Sequence, residues 1–249
     1  MNVLEALRAE SGVVAVVGAG GKKTTLYTLA TRAARSHSLR AVVTATVRIP
    51  IFDRHVEAVT VTDDPVAALE QADEWPVGVV PEREGEDRYV GYDPAVVDDL
   101  AAADVADLVL VKADGARTRE FKAPNEREPQ LPRRVDTVVP IASVQAVGKP
   151  LSAEHVHRPE RVTAITGLDR GDTIRPVDVA RVLASERGGL KSVPAGATVV
   201  PLLNKVDDDD LRDVAAEIGT EVLERAPAVR RVVLTRMVAE EPVVDVLEN

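Results

Sequence analysis

The sequence predicts an α/β fold in which a mainly parallel sheet is flanked by helices in three layers. Three observations predict it. Apolar, strand-like runs alternate with helix-like patterns along the 249 residues, the order that builds parallel sheets through helical crossovers. Hydrophobic residues make up 45% of the chain but aromatic ones only 2%, so the core is built from Val, Ala, Leu and Ile, which suit helices packed on a parallel sheet. The first apolar run, Val13 to Val17, stops on glycines and passes directly into helical spacing, which reads as strand, turn, helix. With no internal repeat and no linker, residues 1–249 form a single domain long enough for one substantial core.

Taken in order, Val13–Val17 is the first strand, and Leu26, Leu29, Ala30 and Ala33 give the helix after it until Ser36-His37-Ser38 ends the pattern. Ala41 to Val47 is a second strand, with Thr44 and Thr46 near its carboxyl end, where threonine is most simply a good strand residue. Glu57 to Thr62 and Val77 to Pro81 are short strands, and between them Asp64-Pro65 opens a helix with a cap and an N1 proline. Glu82 to Arg88 is charged and is expected to be a surface loop. Asp93-Pro94 caps a helix running to Ala103. Asp107 to Ala113 has the continuous apolar middle of a buried strand and ends at Asp114-Gly115. From 114 to 134 the periodicity stops, and a loop of that length is usually functional or disordered. Asp136 to Ala142 resumes as strand, Arg158-Pro159 and Arg175-Pro176 open helices, and Ala197 to Leu203 is the last strong apolar strand. The acidic run Asp207 to Asp210 then favours a helix amino end, with the helix reaching about Glu224, and Val232 to Thr235 is one more strand.

Charge and composition exclude several function classes. The formal net charge is -10, with 41 acidic against 31 basic residues, and this acidic balance argues against a nucleic-acid partner, which requires a positive footprint. Cysteine is absent, so disulfides, thiolate metal sites and cysteine nucleophiles are excluded. The first eleven residues carry no apolar block of a secretory signal, and no stretch is long and apolar enough for a membrane helix. A soluble, cytoplasmic protein with no membrane partner is expected.

The chemistry concentrates where strands end. Gly18-Ala19-Gly20-Gly21-Lys22-Lys23-Thr24-Thr25 places three glycines, two lysines and two threonines between a strand and a helix. Glycine permits a tight turn with uncovered peptide N–H groups, and the following helix points its positive end at the same spot, so an anion belongs there. The turn is an irregular form of the phosphate-binding pattern of a glycine, four residues and Gly-Lys-Ser/Thr. With Lys22 as the phosphate lysine, Gly21 fits but Lys23 takes the hydroxyl position; with Lys23, Thr24 fits but Lys22 replaces a glycine. Both frames stay open. Asp114 ends a buried strand, where such proteins place a carboxylate for Mg²⁺, although Asp-Gly is also a common turn pair. Asn204-Lys205-Val206-Asp207 follows another strand and matches the Asn-Lys-x-Asp pattern that recognises guanine; the same residues would also cap a helix. His155 and His157 lack the companions of a zinc site.

These segments together resemble a family. Val-Val-Gly-Ala-Gly-Gly-Lys at 16–22, Ala-Asp-Gly-Ala-Arg at 113–117, Phe-Lys-Ala-Pro-Asn-Glu-Arg-Glu-Pro at 121–129, His-Arg-Pro at 157–159 and Leu-Asn-Lys-Val-Asp at 203–207 are similar to the selenium-dependent hydroxylase accessory proteins, the YqeC-like family. The resemblance spans nearly the whole chain in order. It implies a P-loop NTPase-like fold and a nucleotide-binding protein associated with maturation of molybdenum hydroxylases that carry labile selenium. It marks Gly18, Gly20, Gly21 and Lys22 at the nucleotide, Asp114 and Gly115 at the metal edge, and Lys122, Glu126 and Glu128 in a family-specific loop. Two residues depart from the family's pattern: Lys112 stands where an acidic residue is usual, and Lys23 interrupts the Lys-Thr step.

The expectation is therefore a Mg²⁺-dependent binder of GTP or ATP, a slow NTPase acting as an accessory factor, with a molybdenum hydroxylase or its cofactor-maturation proteins as partner. Lys22 or Lys23 would neutralise the phosphates, Thr24 or Thr25 would ligate Mg²⁺ beside Asp114, the stretch Gly18 to Thr25 with Ala19 would form the cradle, and Asn204, Lys205 and Asp207 would choose the base. Gly115, Arg117, Lys122, Glu126, Glu128, His157 and Arg158 would form a substrate or partner surface. Two alternatives accompany this reading: phosphoryl or nucleotidyl transfer to a small anionic acceptor, and a non-enzymatic nucleotide-gated scaffold.

Overall fold

A computed structural model describes residues 1–249. Ten strands form the central sheet: β1 (Gly12–Gly18), β2 (Ala41–Ala45), β3 (Ala58–Val61), β4 (Val77–Val80), β5 (Leu108–Lys112), β6 (Thr137–Ser143), β7 (Thr198–Val199), β8 (Leu202–Asn204), β9 (Arg231–Thr235) and β10 (Val243–Glu248). Their spatial order is β10-β9-β8-β6-β1-β5-β2-β4-β3, with β7 beside β6. Every pairing is parallel except that of β10 with β9. The antiparallel edge strand β10 has no counterpart in the sequence reading.

Seven helices complete the chain: α1 (Val3–Ala6), α2 (Lys22–His37), α3 (Pro65–Leu69), α4 (Pro94–Ala102), α5 (Pro159–Thr166), α6 (Pro176–Leu183) and α7 (Asp209–Arg225). Asp64, Asp93 and Asp208 each accept an N–H bond as helix caps, and a proline follows at N1 in α3 and α4, as the sequence chemistry requires. Alternation along β1 divides the core between two faces. Val14 and Val16 pack with Leu26, Leu29, Ala30 and Ala33 of α2. Val13, Ala15 and Val17 pack on the opposite face with Leu69, Val97 and Leu100. A third cluster joins α5, α6 and α7 to the β6, β8 and β9 side. This is the three-layer α/β arrangement of the P-loop NTPase type, and it explains why the strands read as unbroken apolar runs: both of their faces are covered.

Two local expectations are corrected. The charged segment 82–88 is not a plain loop: Arg83–Glu84 and Arg88–Tyr89 pair with each other, and Arg88–Tyr89 also pairs with Ile49–Pro50, making a small three-stranded ribbon. The apolar run 197–203 is two strands, β7 and β8, separated by Val200-Pro201, because proline lacks the N–H that a ladder would use. The long segment 114–134 is largely irregular, as expected, apart from Phe121–Lys122, which pairs with Val156–His157.

Candidate functional site at the carboxyl edge of the sheet

The carboxyl ends of β5, β1 and β8 all open on one edge, with β6 between the last two. The turn after β1 is held by contacts that leave no room for side chains. Gly20 has φ +93° and Gly21 φ +139°, a region that side chains strain to enter. A Cβ on Gly20 would also collide with Ser143 and the Glu120 carbonyl, and one on Gly21 would collide with the Asn204 amide. Gly21 is the N-cap of α2, and Thr25 N–H, bonding Gly21 O at 2.9 Å, closes the first helical turn. The amides of Lys22, Lys23 and Thr24 precede that bond and point out of the helix end.

Asp114 fastens β5 to this turn. Its Oδ2 accepts the Gly18 N–H at 2.8 Å and lies 2.9 Å from Lys122 Nζ. Its Oδ1 lies 2.9 Å from Lys22 Nζ, close enough for an ion pair but out of line for a hydrogen bond, so this buried oxygen has no aligned donor. Lys22 Nζ also donates to the Gly18 carbonyl, so the side chain arcs back across the turn. Burial pushes the Asp114 carboxyl up, but Lys22 and Lys122 outweigh it and hold the group below its usual range. For Lys22 the balance runs the other way: burial pushes the ammonium below its usual value against the pull of Asp114.

Beneath the turn, Lys122 continues the network. Its Nζ donates to the Gly115 carbonyl at 2.6 Å and to Glu128 Oε2 at 2.7 Å, and Arg158 binds the same oxygen at 2.6 Å. Gly115 N–H reaches Glu128 Oε1 at 3.3 Å. Burial opposes ionisation of Glu128, but Arg158 and Lys122 prevail and keep its carboxyl low. His157 is pushed down to about 4 by burial and by the neighbouring Arg158 and Lys122, so it is neutral near pH 7. Glu126 stands apart, on the surface, paired with Arg161 at 2.5 Å.

On the other side, Asn204 Nδ2 donates to the Gly20 carbonyl at 2.8 Å, while its Oδ1 accepts from Thr235 Oγ1 and Met237 N, each at 3.1 Å. Both ends of this side chain are thus committed to the protein. Lys205 Nζ grips the Glu120 carboxylate at 2.6 and 2.7 Å. Asp207 is exposed and accepts Gln145 Nε2 at 2.9 Å.

Above the turn lies a cleft of about 530 Å³ bordered by Gly20 to Thr24, by Arg48 and the ribbon residues Pro50 and Arg88, by Lys112, and by Gly115 to Glu120 with Lys205. Of the two threonines, Thr24 lines the cleft, whereas Thr25 is buried with its hydroxyl on Gly21 O at 3.1 Å. Lys23 faces the cleft and Lys22 lies at its floor, 6% exposed. The sequence-marked residues therefore separate into those on the cleft (Gly20 to Thr24, Gly115, Arg117, Lys205), those that brace it (Gly18, Ala19, Thr25, Asp114, Lys122, Glu128, Arg158, Asn204), one that lies beneath it beside Lys122 and Arg158 (His157), and two outside (Glu126, Asp207). Ala19 N–H is held by Ile141 O at 2.9 Å.

Lys112, marked in the sequence only as a departure from the family's pattern, lines the cleft, and so do Arg48 and Arg88, which no sequence motif marks. The signal for Lys112 was its period: two residues before Asp114 on a strand, it shares the Asp114 face. Arg48 and Arg88 enter through the ribbon, whose long-range pairing no local pattern announces.

The model of the YqeC protein family matches residues 14–160, which hold both the glycine turn and the whole Asp114 network. The chain belongs to the YqeC protein family. The protein named "Uncharacterized protein YqeC" from Escherichia coli (strain K12) is 30% identical over 196 residues, covering 78% of this chain and 75% of the relative. The family match thus spans the two strand ends that carry the turn and its aspartate, and stops before the third, at Asn204.

Proposed function

We propose that the carboxyl-edge cleft binds a purine nucleoside triphosphate, GTP or ATP, together with Mg²⁺, and that the protein is a slow NTPase serving the maturation of selenium-dependent molybdenum hydroxylases. One observation carries the nucleotide reading: the ends of two other strands are tied to the glycine turn that closes β1, Asp114 to Gly18 at 2.8 Å and Asn204 to Gly20 at 2.8 Å, beneath a cationic cleft. Turn amides and the α2 amino end suit phosphate oxygens. The Lys22 side chain, already folded across the turn, supplies charge at the phosphates, and Lys23 does so from the cleft wall. In phosphate chemistry of this kind the protein contributes positioning and charge stabilisation.

The donor set suits Mg²⁺ in one respect: Asp114 Oδ1 is a buried oxygen with no aligned donor. Mg²⁺ commonly takes one or two protein carboxylates and completes its shell with water and phosphate oxygens. Asp114 and the Thr24 hydroxyl are the residues that would hold it, and its chemistry would be to neutralise phosphate charge.

For the base, Lys205 and Asp207 remain the candidate readers, while Asn204 positions the turn. The accessory role rests on family membership together with the sequence resemblance. Titration of purified protein with fluorescently labelled GTP and ATP, with and without Mg²⁺, tests the reading; binding of neither would end it. Lys22→Ala and Lys23→Ala, measured side by side, decide which lysine meets the phosphates.

A further inference from the structure

The positive charge around the cleft is not evenly free. Arg48, Arg88 and Lys205 are each matched by a carboxylate, Glu84 at 2.5 Å, Asp87 at 2.8 Å and Glu120 at 2.6 Å, and Lys22 faces Asp114. Apart from Lys23 on the phosphate turn, the cleft cations with no carboxylate partner are Lys112, Arg117 and Arg119, and the last turns its Nε to the Ala153 carbonyl at 2.8 Å.

Lys112 is the unusual one. It is 6% exposed, at the carboxyl end of β5 where that strand pairs with β2. Its ammonium makes one bond, to the Arg48 carbonyl at 2.7 Å, and no carboxylate lies within 4.0 Å. A lysine carries three donors, so two are unused in a group that borders the cleft. Burying a cation without a counter-charge is unfavourable unless something supplies the charge. Arg117, at the rim, has φ 48° and is followed by Thr118 at φ 58°. Two successive left-handed residues that are not glycine are strained, and such strain collects at ligand-binding positions. The Arg117 guanidinium has no ion-pair partner within 4.0 Å.

We propose that Lys112 and Arg117, which both line the cleft, form a second anion subsite for the phosphate monoester group of a second ligand bound beside the nucleotide. The inference rests on the nucleotide reading for its word "beside". Two unmatched cations suit a dianion, with lysine as a point charge and arginine as a fork; a carboxylate would leave one of them unmatched. Lys122, which the sequence also marked for this surface, is already consumed by Asp114 and Glu128 and takes no part.

Inorganic phosphate is the probe. Calorimetric titration into wild-type protein saturated with Mg²⁺ and a non-hydrolysable nucleotide should show one phosphate site, weakened tenfold or more in Lys112→Met and in Arg117→Ala, and largely restored in Lys112→Arg. Thermal melts confirm that the variants fold. Absence of phosphate binding by the loaded wild type, or equal binding by Lys112→Met, overturns the subsite while leaving the nucleotide reading intact. If no nucleotide binds at all, that reading fails by itself, and titration of the free protein still decides the subsite: a phosphate site lost in Lys112→Met but kept in Lys22→Ala supports it, and one unaffected by Lys112→Met overturns it.

Discussion

Asn204 Nδ2 donates to the Gly20 carbonyl at 2.8 Å across 184 residues of sequence, and the same side chain accepts from Met237 N at 3.1 Å. One amide thus ties the phosphate-turn candidate to the ends of β8 and β9. Asn204→Ala should destabilise the fold by about 1–3 kcal/mol, the range for leaving buried partners unsatisfied. If Asn204 only positions the turn, GTP and ATP affinities should fall together. Asp207→Ala, at an exposed site, should leave stability within about 0.5 kcal/mol and weaken GTP alone. Paired titrations with both nucleotides separate the two roles.

Gly21 lies directly against that amide. Gly21→Ala would place a Cβ on Asn204 Nδ2 at a φ of +139°, so both space and backbone resist it. A loss of about 2–4 kcal/mol in chemical denaturation is expected, from strain and the displaced hydrogen bond. The double variant Gly21→Ala/Asn204→Ala should be less destabilised than the sum of the two singles, because the second change removes the atom that the first one strikes.

Asp114 is shared by two buried lysines, Lys22 and Lys122, each 2.9 Å from one of its oxygens. Removing one member of a buried charge cluster costs about 3–5 kcal/mol because the others stay buried and unmatched. Asp114→Asn should therefore lose stability on that scale at pH 7, in addition to any loss of nucleotide binding. Its folded value is depressed, so the stabilisation is complete above the ordinary aspartate value near 3.8 and is lost as pH falls below it.

How much of this was legible beforehand depends on sequence distance. Strand ends, caps and the glycine turn are local patterns, and the sheet order brought Gly18, Asp114 and Asn204 to one edge, as the alternating pattern required. The Arg83–Tyr89 ribbon was not legible, because its partner Ile49–Pro50 lies over thirty residues earlier and neither short segment has a periodic apolar face. Nor was the commitment of Lys122: a lysine in a polar loop reads as exposed, and only the fold places Asp114 and Glu128 around it. The edge strand β10 alternates weakly, its residues being half-buried, so periodicity gave it little signal.

Lys112 is pushed down to about 7 by burial and by the nearby Lys22. Its folded value lies below the unfolded value near 10.5, so between those limits the unfolded chain binds more protons and stability rises with pH. The residue is a net liability at neutral pH. Lys112→Met should raise stability at pH 7 by an amount on the order of a few kcal/mol, and the advantage should shrink as pH approaches 10. Denaturation at pH 7, 8.5 and 10 checks the trend; an advantage independent of pH would mean that packing, not charge, is responsible.

His157 gives the opposite end of the pH scale. Burial, with Arg158 and Lys122 beside it, holds the ring neutral down to about 4, whereas in the unfolded chain it gains a proton near 6.5. Between those values the unfolded state binds more protons, so stability declines as pH falls from 6.5 towards 4. The decline should be smaller than the full shift implies, since the ring is only half-buried and solvent screens its neighbours. His157→Gln keeps a hydrogen-bonding side chain that cannot charge, and it should flatten this part of the stability profile while leaving the Asp114 loss below pH 4 in place. A wild-type profile that is already flat between pH 4 and 6.5 would show that the ring does not stay neutral beside Arg158.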